Sequence, residues 1–494
     1  DPDPALAPAV LRYTDLRGID GRPLQFAMIC NPNPDSACRE FRQLLKQLDH
    51  FQLAVFTHPA IQRIHPEACR HLLEGIRAEI RLETSDRVTR VALTGEWLDR
   101  AFDNLPYLLK SPTFDALRGT MAGRTALVVA AGPTLNEALP IIRHLADRVI
   151  LFAVGTAVKP LLAGGVTPDF IVALDSDPLT MRQLPELNLP ATMLLAAFSV
   201  PPDMNSRFTD RIFSFSFSGL KGFNRWLELG GMPPCVLNVG GTVALTAIDA
   251  AIVAGCTNVV FAGLDLSMRE DGTTHAKNSM YDGARLQPEN LVKTRGNYGR
   301  EVLSTPQFVN YARQLNAYLS DMVGEYDVKF YNATTGGVFF DNTTVISPEA
   351  ILASGAFPAM PDDKREWLQH LHRTAHPQNK TAACMAAYLY DSAEGLRRLA
   401  RDATAAGTLC EELDCGLADV TRPVLAQLDD LDQRIKHNPV ITLVETALDG
   451  LSHALRYASV ATDSRFAAGR KHYGALAETA LRMANKLDMT ANRL

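Results

Sequence analysis

The chain has 494 residues, of which 47% are hydrophobic and 21% are charged, a composition typical of a folded globular protein. A chain of this length accommodates two or three domains, each large enough for its own core. The net charge of -6 argues against a general nucleic-acid binder, which needs a basic surface, and no unbroken apolar stretch is long enough to span a bilayer.

The distribution of the cysteines indicates whether the protein is found in a reducing or an oxidising compartment. The eight cysteines are scattered, without a Cys-x-x-Cys pair or a cluster with histidine. This pattern predicts buried free thiols in a reducing environment and no structural zinc site. Because no secretory signal is visible, we expect a cytoplasmic protein, although a chain that begins Asp-Pro-Asp-Pro can have lost its true N-terminus.

Residues 1–120 are predicted to form a small α/β region. Apolar runs predict strands at Leu24 to Ile29 and Leu53 to Thr57, and helical spacing predicts helices at Ala37 to Leu48 and Glu67 to Ile80. The amphipathic stretch Trp97 to Leu117 is expected to be helical in part and to lead into the central domain.

The central domain, residues 121–360, opens with alternating strands and helices. Its first apolar run, Thr125 to Ala131, ends in a glycine turn and is followed by helical spacing. Two more apolar runs follow at Val149 to Val154 and Phe170 to Leu174. Buried strands separated by short helices form a parallel sheet, and the ligands of such sheets bind at the carboxyl ends of the strands.

Residues at these strand ends are candidate ligand-binding residues. Glycine in the first turn permits close approach to the backbone, and the N-terminus of the next helix favours an anion such as a phosphate. The same Gly-Pro-Thr sequence is also an ordinary way to start a helix, so both interpretations stay open. The candidates are Gly132, Pro133, Thr134, Gly155, Thr156 and Asp175.

A second turn of this kind occurs at Asn238-Val239-Gly240-Gly241-Thr242. Thr242 is a good N-cap for a helix predicted at Val243 to Cys256. Two glycine turns that each open a helix at a strand end are stronger evidence for an anion site than either turn alone. We therefore add Asn238, Gly240, Gly241 and Thr242 to the candidate binding residues.

The alternation continues through the domain. Further strands are predicted at Thr192 to Phe198, Arg211 to Phe217, Cys235 to Val239, Asn258 to Ala262 and Val328 to Asn332. The polar stretch from Ser267 to Tyr298 lacks a regular pattern and is typical of a lid or binding loop. Ser304-Thr305-Pro306 then predicts an N-cap followed by proline in the first turn of a helix.

Residues 361–494 are predicted to form an α-helical C-terminal domain, because glycine becomes sparse and alanine, leucine and charged residues dominate. Helical spacing is found at Thr381 to Ala403, Cys410 to His437, Val440 to Ser459 and Arg465 to Leu487. We interpret the charged faces of these helices as solvated surface rather than as a binding site.

The central domain contains, in this order, the motifs Ala131-Gly132-Pro133-Thr134-Leu135, Gly164-Gly165-Val166-Thr167-Pro168-Asp169, Leu174-Asp175, Gly240-Gly241-Thr242-Val243, Gly263-Leu264-Asp265-Leu266-Ser267, Thr274-His275-Ala276, Asn332-Ala333-Thr334 and Gly336-Gly337. This is the order seen in the motility-associated factor (Maf) family of flagellin glycosyltransferases, which the chain resembles from about Trp97 to Val345. Two departures are Thr134, where the family usually has Ser, and Asn136, where it commonly has Asp. The second leaves any role of position 136 open.

The resemblance implies an α/β fold whose central Rossmann-like parallel sheet domain is sialyltransferase-like, preceded by the small α/β region and followed by the helical domain. It implies transfer of a nonulosonic acid, such as pseudaminic or legionaminic acid, from a CMP-activated donor to Ser or Thr of flagellin. Flagellin is thus the expected partner and a CMP-nonulosonic acid the expected donor substrate. Because the sequence has no acidic cluster resembling a metal cage, we expect no essential metal or cofactor.

Such a transfer builds negative charge on the departing phosphate and needs a base for the acceptor hydroxyl. His275, on the polar loop beyond a strand end, is the candidate base, since imidazole titrates near neutral pH; a loop histidine is otherwise simply exposed. Asp265 ends a buried strand, where a charge needs a partner or a role, and is the second catalytic candidate. Ser267 follows as a further binding candidate.

Asp175 has two possible roles. It would bind ribose or sugar hydroxyls, as acidic residues at strand ends do in nucleotide-binding folds, or it would cap the next helix. Asp177 is an equally good candidate for the cap.

Two alternative functions stay open. The archaeal pterin diphosphokinases share the Gly-Pro-Ser/Thr and Asp motifs and would predict ATP and a pterin as substrates, although the flanking domains count against this function. A non-catalytic chaperone or scaffold for flagellin would keep a nucleotide fold without chemistry.

Overall fold

A computed structural model describes residues 34–47, 59–108, 110–184, 189–285, 291–353, 360, 363–375, 381–448 and 465–494. The chain divides into two compact units, Asp1–Thr89 and Arg90–Leu494. The predicted strands at Leu24 to Ile29 and Leu53 to Thr57 lie outside the described residues. The predicted boundaries at residues 120 and 360 stay predictions.

The first unit is helical where it is described. It contains α1 (Pro34–Gln47), α2 (Pro59–Ile64) and the start of α3 (Pro66–Leu108), which confirms both helices predicted here. A small core of Phe41, Leu45 and Ile76 joins α1 to α3. Arg42 donates two hydrogen bonds of 2.8 Å to the carboxylate of Glu79 beside this core.

The second unit is built around a parallel sheet of eight strands. The strands are β1 (Thr125–Val129), β2 (Ile150–Val154), β3 (Phe170–Ala173), β4 (Met193–Ala197), β5 (Ile212–Phe215), β6 (Asn258–Ala262), β9 (Lys329–Asn332) and β10 (Thr343–Val345), in the order β10-β9-β6-β1-β2-β3-β4-β5. Every residue of β1 to β5 is buried, because helices cover both faces of such a sheet and its strands are therefore apolar throughout. The predicted α/β fold class is confirmed.

Helices connect the strands. They are α4 (Leu135–Leu145), α5 (Val158–Ala163), α6 (Pro202–Ser206), α7 (Lys221–Leu229), α8 (Val243–Val253), α9 (Pro306–Glu325) and α10 (Pro348–Ala353). Two predicted caps are confirmed: the Thr242 hydroxyl accepts from the Ala244 N–H at the start of α8, and the Thr305 hydroxyl accepts from the Phe308 N–H at the start of α9.

The strand predicted at Cys235 to Val239 is wrong. The Ser216 N–H donates to the Cys235 carbonyl and the Leu237 N–H to the Ser216 carbonyl, which forms a single bridge rather than a ladder. The next residue, Asn238, is turned away by hydrogen bonds to the carboxylate of Asp249.

The absence of regular structure predicted from Ser267 to Tyr298 is also wrong in part. The described part of this stretch includes β7 (Val292–Arg295), which pairs antiparallel with β8 (Glu301–Ser304) in a hairpin. This two-stranded ribbon is short, mostly exposed or half-buried, and has no apolar run, so hydrophobic periodicity does not reveal it.

The C-terminal part is helical, as predicted. It comprises α11 (Lys364–Thr374), α12 (Ala382–Asp414), α13 (Arg422–Lys436), a helical stretch at residues 441–448 and α14 (Arg465–Ala491). The helix predicted from Cys410 to His437 is instead divided, because Gly416 adopts a positive φ of 68° and Pro423 follows. The predicted end at Ser459 lies outside the described residues.

The C-terminal helices share one hydrophobic core with the sheet, which extends in sequence from Leu98 to Ala491. The Trp226 indole N–H of α7 donates to the Ser392 hydroxyl of α12 over 2.9 Å. A side chain at Gly222 would lie 2.8 Å from the Thr442 carbonyl carbon, so α7 packs closely against the helical stretch at 441–448.

The cysteines and the length and polarity of the helices bear on two smaller predictions. Cys384 and Cys415 are exposed, so the prediction of buried thiols is wrong for these two; the other described cysteines are buried, and none of the described cysteines forms a disulfide. Among the described helices, none combines the length and the apolar character that crossing a bilayer requires. The cytoplasmic location stays a prediction.

Candidate functional site

The strand order places a crevice at the end of β1. The chain runs from β1 outward to β5 and then returns to the opposite side of β1 with β6. In open parallel sheets, ligands bind where the strand order reverses in this way, outside the carboxyl ends of the strands. The glycine turn after β1 and the segment Gly263 to Ser267 after β6 both lie at this position.

The two segments are in direct contact. The Gly132 N–H donates to the Gly263 carbonyl over 2.7 Å. A Cβ at Gly132 would lie 2.6 Å from the Gly263 carbonyl oxygen and would collide with the carboxylate of Asp265, so only glycine fits here. The Thr134 hydroxyl donates to Oδ2 of Asp265 over 2.9 Å, and the Thr134 N–H lies 3.4 Å from the same oxygen.

Asp265 is a buried carboxyl group, with 2% of its surface exposed. Its Oδ1 atom has no hydrogen-bond partner among the described residues. Burial raises the pKa of Asp265 to about 7, although the hydrogen bonds from Thr134 act in the opposite direction. This buried carboxyl group therefore fixes the position of Thr134 through hydrogen bonds.

The segment that follows β9 packs against Asp265 and Ser267. The Val338 N–H donates to the Asp265 carbonyl over 2.8 Å, and a Cβ at Gly337 would lie 2.7 Å from the Asp265 Cα. The buried hydroxyl of Ser267 donates to the Gly336 carbonyl over 3.3 Å. Ser267 therefore holds the Gly336-Gly337 turn rather than facing open space.

The polar loop after β6 is fixed to the β1 turn. Arg269 donates to the Pro133 carbonyl over 2.9 Å and forms an ion pair with Glu137 in α4. The Ala276 N–H donates to the Ala131 carbonyl over 2.8 Å. The side-chain oxygen of Asn136 accepts from the Lys277 N–H over 3.1 Å, which gives position 136 a structural role that the sequence left open.

His275 is held beside this turn, because its neighbour Ala276 bonds to the end of β1. The half-buried ring lies with its Nδ1 2.9 Å from the Thr274 hydroxyl and its centroid 4.7 Å from that of Tyr281. Burial lowers the pKa of His275, so the imidazole is neutral at pH 7 and can accept a proton.

A pocket of about 310 Å³, counted with the volume open to solvent, lies at the ends of β2 and β3. Its wall includes Gly155, Asp175, Gln183 and Val243. The Gln183 side chain lies over Gly155, where a Cβ would collide with it. The Asp175 side chain is exposed to solvent, but it lies in a concave part of the surface with protein around it. Desolvation and, second, the charge of Asp177 therefore raise the pKa of its carboxyl group.

The sequence leaves open whether Asp175 or Asp177 caps the next helix, and in the structure Asp177 is the cap. Its carboxylate accepts from the Leu179 N–H over 2.8 Å. Among the described residues no hydrogen bond to Asp175 is found, so its carboxylate is available to a ligand. Thr156, the neighbour of Gly155, is half-buried at the end of β2.

In the second glycine turn, polar groups that could bind an anion form hydrogen bonds with other parts of the protein. The Gly241 N–H donates to the side-chain oxygen of Gln314 in α9, and the Tyr311 ring lies against Gly241. Asn238 is bound through its side chain and its N–H to the buried carboxylate of Asp249. This occupation weakens the interpretation of the turn as a second anion site.

The structure thus brings together some of the predicted site residues and separates others. Gly132, Thr134 and Asp265 are in contact, with Pro133, Ser267 and His275 on adjoining segments. Gly155 and Thr156 follow β2, the neighbour of β1, Asp175 follows β3, two strands from β1, and Asn238, Gly240, Gly241 and Thr242 precede α8. No group of three metal-binding side chains is found within the described ranges, and independence from metal stays a prediction.

Sequence reasoning missed the residues that hold the site in place. Arg269, Asn136 and Gln314 act through partners far away in sequence, and Asp249 joins the nearby Asn238 to the distant Tyr318. A buried aspartate in an otherwise apolar helix, as at Asp249 in α8, is the one local signal that a polar partner must exist.

Three comparisons place this chain among known proteins. Residues 99–271 match a family model described as 6-hydroxymethylpterin diphosphokinase MptE-like. An uncharacterized protein of Treponema pallidum (strain Nichols) is 24% identical over 275 residues, which are 52% of this chain and 47% of that protein. The chain therefore spans about half the length of this curated relative.

The structural comparison covers more of the chain. The structure of a Maf glycosyltransferase from Magnetospirillum magneticum AMB-1 superposes with a TM-score of 0.54 and 15% sequence identity, over 94% of this chain and 69% of that one. The chain shares the fold of that glycosyltransferase along nearly its whole length, and its residues 99–271 match the MptE-like family.

Proposed function

We propose that this protein is a glycosyltransferase that moves a nonulosonic acid from a CMP-activated donor to Ser or Thr of flagellin. The observation that carries the proposal is the Thr134–Asp265 pair at the reversal of the strand order, with a neutral histidine beside it. The fold shared with a Maf glycosyltransferase over 94% of the chain, including the helical C-terminal part, supports it.

The phosphate of CMP would bind at the turn after β1. The N-terminus of α4 directs its N–H groups and positive dipole end to this point, and Gly132 leaves the backbone accessible. Asp265 would hold the start of α4 in position for the phosphate, because the Thr134 hydroxyl and N–H both donate to its carboxylate. Donors fixed in advance stabilise the charge that develops on a leaving group.

The nucleoside would extend from there toward β3. The pocket lies at the ends of β2 and β3, which are one and two strands from β1, and neighbouring strands are about 4.8 Å apart, so the separation suits a nucleotide. Asp175, with its carboxylate available at the pocket mouth, would accept hydrogen bonds from sugar hydroxyls.

In the transfer step, the acceptor hydroxyl oxygen bonds to the anomeric carbon while the bond from that carbon to the phosphate oxygen breaks. CMP leaves with the electron pair, and the hydroxyl proton passes to the neutral His275 imidazole. We expect the reaction to need no metal ion; activity that is lost with a chelator and restored by magnesium would contradict this expectation.

A second candidate function follows from the family model that matches residues 99–271. A pterin diphosphokinase would take ATP and a pterin at the same strand ends. The match leaves out the C-terminal helices, which share a core with the sheet. A non-catalytic flagellin scaffold is the third possibility.

The melting temperature of the protein with CMP, CDP, UDP and ATP distinguishes these functions, because a ligand that binds the native state stabilises it. We expect CMP to raise the melting temperature most. The shift should be lost in Thr134→Val and kept in Thr134→Ser, which retains the hydroxyl. A preference for ATP would favour the diphosphokinase, and the absence of any shift would favour the scaffold.

A further inference from the structure

The hairpin of β7 and β8 is fixed to the candidate site. The Met268 N–H donates to the Leu303 carbonyl over 2.9 Å, and the Ser304 hydroxyl donates to the Leu266 carbonyl over 2.7 Å. Both contacts are made by residues that follow Asp265 in the loop after β6. The hairpin therefore keeps a defined position relative to the Thr134–Asp265 pair.

A buried asparagine anchors the hairpin turn. The Asn297 N–H donates to the Gly337 carbonyl over 3.0 Å, and its side-chain amide donates to the Thr334 carbonyl over 2.6 Å. Asn332 donates to the side-chain oxygen of Asn297 over 3.2 Å. Since the backbone of Gly337 packs against Asp265, the turn lies on the rim of the site.

The next residue, Tyr298, is in an unfavourable conformation. Its φ of 58° and ψ of 24° are left-handed, and Gly299 follows with a φ of 74°. Two successive residues of this kind form the hairpin turn that normally has Asn, Asp or Gly first, because a bulky side chain is strained there. Tyr298 is nevertheless 56% exposed, so packing of the ring does not explain why a tyrosine occupies this strained position.

The turn that carries Tyr298 lies on the side of the site away from the pocket at β2 and β3. In the strand order, the pocket for the nucleoside is at β2 and β3, and the Thr134–Asp265 pair is between β1 and β6. Asn297, the neighbour of Tyr298, is anchored beyond β6, at the end of β9. A donor that extends from β3 to β1 leaves this opposite side for the second substrate.

We propose that Tyr298 is a binding platform for the acceptor polypeptide, next to the Ser or Thr that receives the sugar. An exposed tyrosine offers a rigid apolar ring and a hydroxyl at low entropic cost, which suits contact with a polypeptide segment. The strain of the turn is retained because the ring is presented to this substrate. This inference rests on the proposed glycosyltransferase function.

The test compares Tyr298→Asn, Tyr298→Gly and Tyr298→Phe with the unchanged protein. Transfer from a CMP-nonulosonic acid to full-length flagellin gives the acceptor KM, and calorimetry gives the dissociation constant for CMP. Loss of the ring should raise the acceptor KM about tenfold, the effect of one aromatic contact, while CMP binding is unchanged. Tyr298→Phe should keep most of the affinity.

The Asn and Gly variants relieve the strained turn, so their melting temperature should equal or exceed that of the unchanged protein. Tyr326→Asn is the matched control, since Tyr326 is 45% exposed at the opposite, amino end of β9. An unchanged acceptor KM, or a loss of CMP binding in Tyr298→Asn, would overturn the inference alone. An unchanged protein that neither binds CMP nor transfers the sugar would overturn the proposed function.

Discussion

Thr134 and Asp265 are separated by 131 positions in the chain and are joined by a hydrogen bond inside the protein. Both positions are recognisable in the sequence, since each follows an apolar run at the end of a strand. Their contact is not recognisable, because it depends on β1 and β6 being neighbours in the sheet. The sequence thus predicts which residues are near strand ends, and the strand order decides which of them meet.

Burial of Asp265 makes the stability of the protein depend on pH. Its pKa is about 7 in the folded protein, above the ordinary value, so its charge destabilises the fold progressively between about pH 4 and pH 8. Asp265→Asn removes this effect. In urea denaturation, the free energy of unfolding of the variant relative to the unchanged protein should rise by about 4 kcal/mol over this range.

The control is Asp271→Asn. The Thr273 side chain and N–H lower the pKa of the exposed Asp271, so this ionised carboxylate stabilises the fold as the pH rises. The relative stability of Asp271→Asn should therefore change in the opposite direction. A relative stability of Asp265→Asn that is constant from pH 4 to pH 8 would show that the carboxyl is not buried as described.

His275 is expected to act on the acceptor rather than on the donor. Because burial lowers its pKa, the transfer rate should rise with pH to a plateau, with a midpoint below 6.5. His275→Ala should lower kcat by about 10²-fold or more, as expected for loss of a general base, and should leave the CMP-induced melting shift intact. Turnover close to that of the unchanged protein would remove His275 from the mechanism.

Strands and loops differ in how far the sequence predicts them. The sheet strands from β1 to β6 and β9 are apolar runs bounded by turns, and their predicted positions agree with the structure. The sequence does not predict the hairpin of β7 and β8, because its two four-residue strands contain no apolar run and are stabilised by contacts with the loop after β6. Loop contacts of this kind position the site and have no local signature.

The turn after β1 should tolerate no side chain at Gly132. A Cβ there would approach the Gly263 carbonyl to 2.6 Å, and this backbone atom cannot move without disturbing β6. Gly132→Ala should therefore lower the free energy of unfolding by about 2 kcal/mol and abolish CMP binding. Circular dichroism with thermal denaturation, followed by calorimetry, measures both effects.

Gly95→Ala is the matched control for this substitution. Gly95 lies inside α3, and a Cβ added there meets nothing within 4 Å. Alanine is the better helix former, so this variant should be stabilised by about 0.5–1 kcal/mol with unchanged CMP binding. If Gly132→Ala behaved in the same way, the close packing of the β1 turn against the β6 segment would be refuted.

At the scale of the molecule, the C-terminal helices are part of the same compact unit as the sheet. Composition predicts where the helical part begins, but it does not reveal that its apolar faces complete the core of the sheet. Lys364, at the start of α11, donates to the carboxylate of Asp169 over 2.8 Å and to the Val149 carbonyl over 3.0 Å. Both Lys364 and Asp169 are buried, so each charge depends on the other.

Lys364→Met should destabilise the protein by about 3 kcal/mol, because it leaves the Asp169 carboxylate buried without its cation. The double variant Lys364→Met, Asp169→Asn removes that charge while keeping an acceptor for the Leu151 N–H, so it should regain most of the loss. Chemical denaturation of the single and double variants measures this coupling. Additive effects of the two substitutions would contradict an ion pair that joins α11 to the sheet.

The mass of flagellin after incubation with the protein and a CMP-nonulosonic acid tests the central claim most directly. The account predicts one or more increments of one sugar residue on Ser or Thr, release of CMP, and loss of both with Thr134→Val but not with Thr134→Ser. Flagellin of unchanged mass, together with conversion of ATP to AMP in the presence of a hydroxymethylpterin, would contradict the account and assign the site to diphosphate transfer.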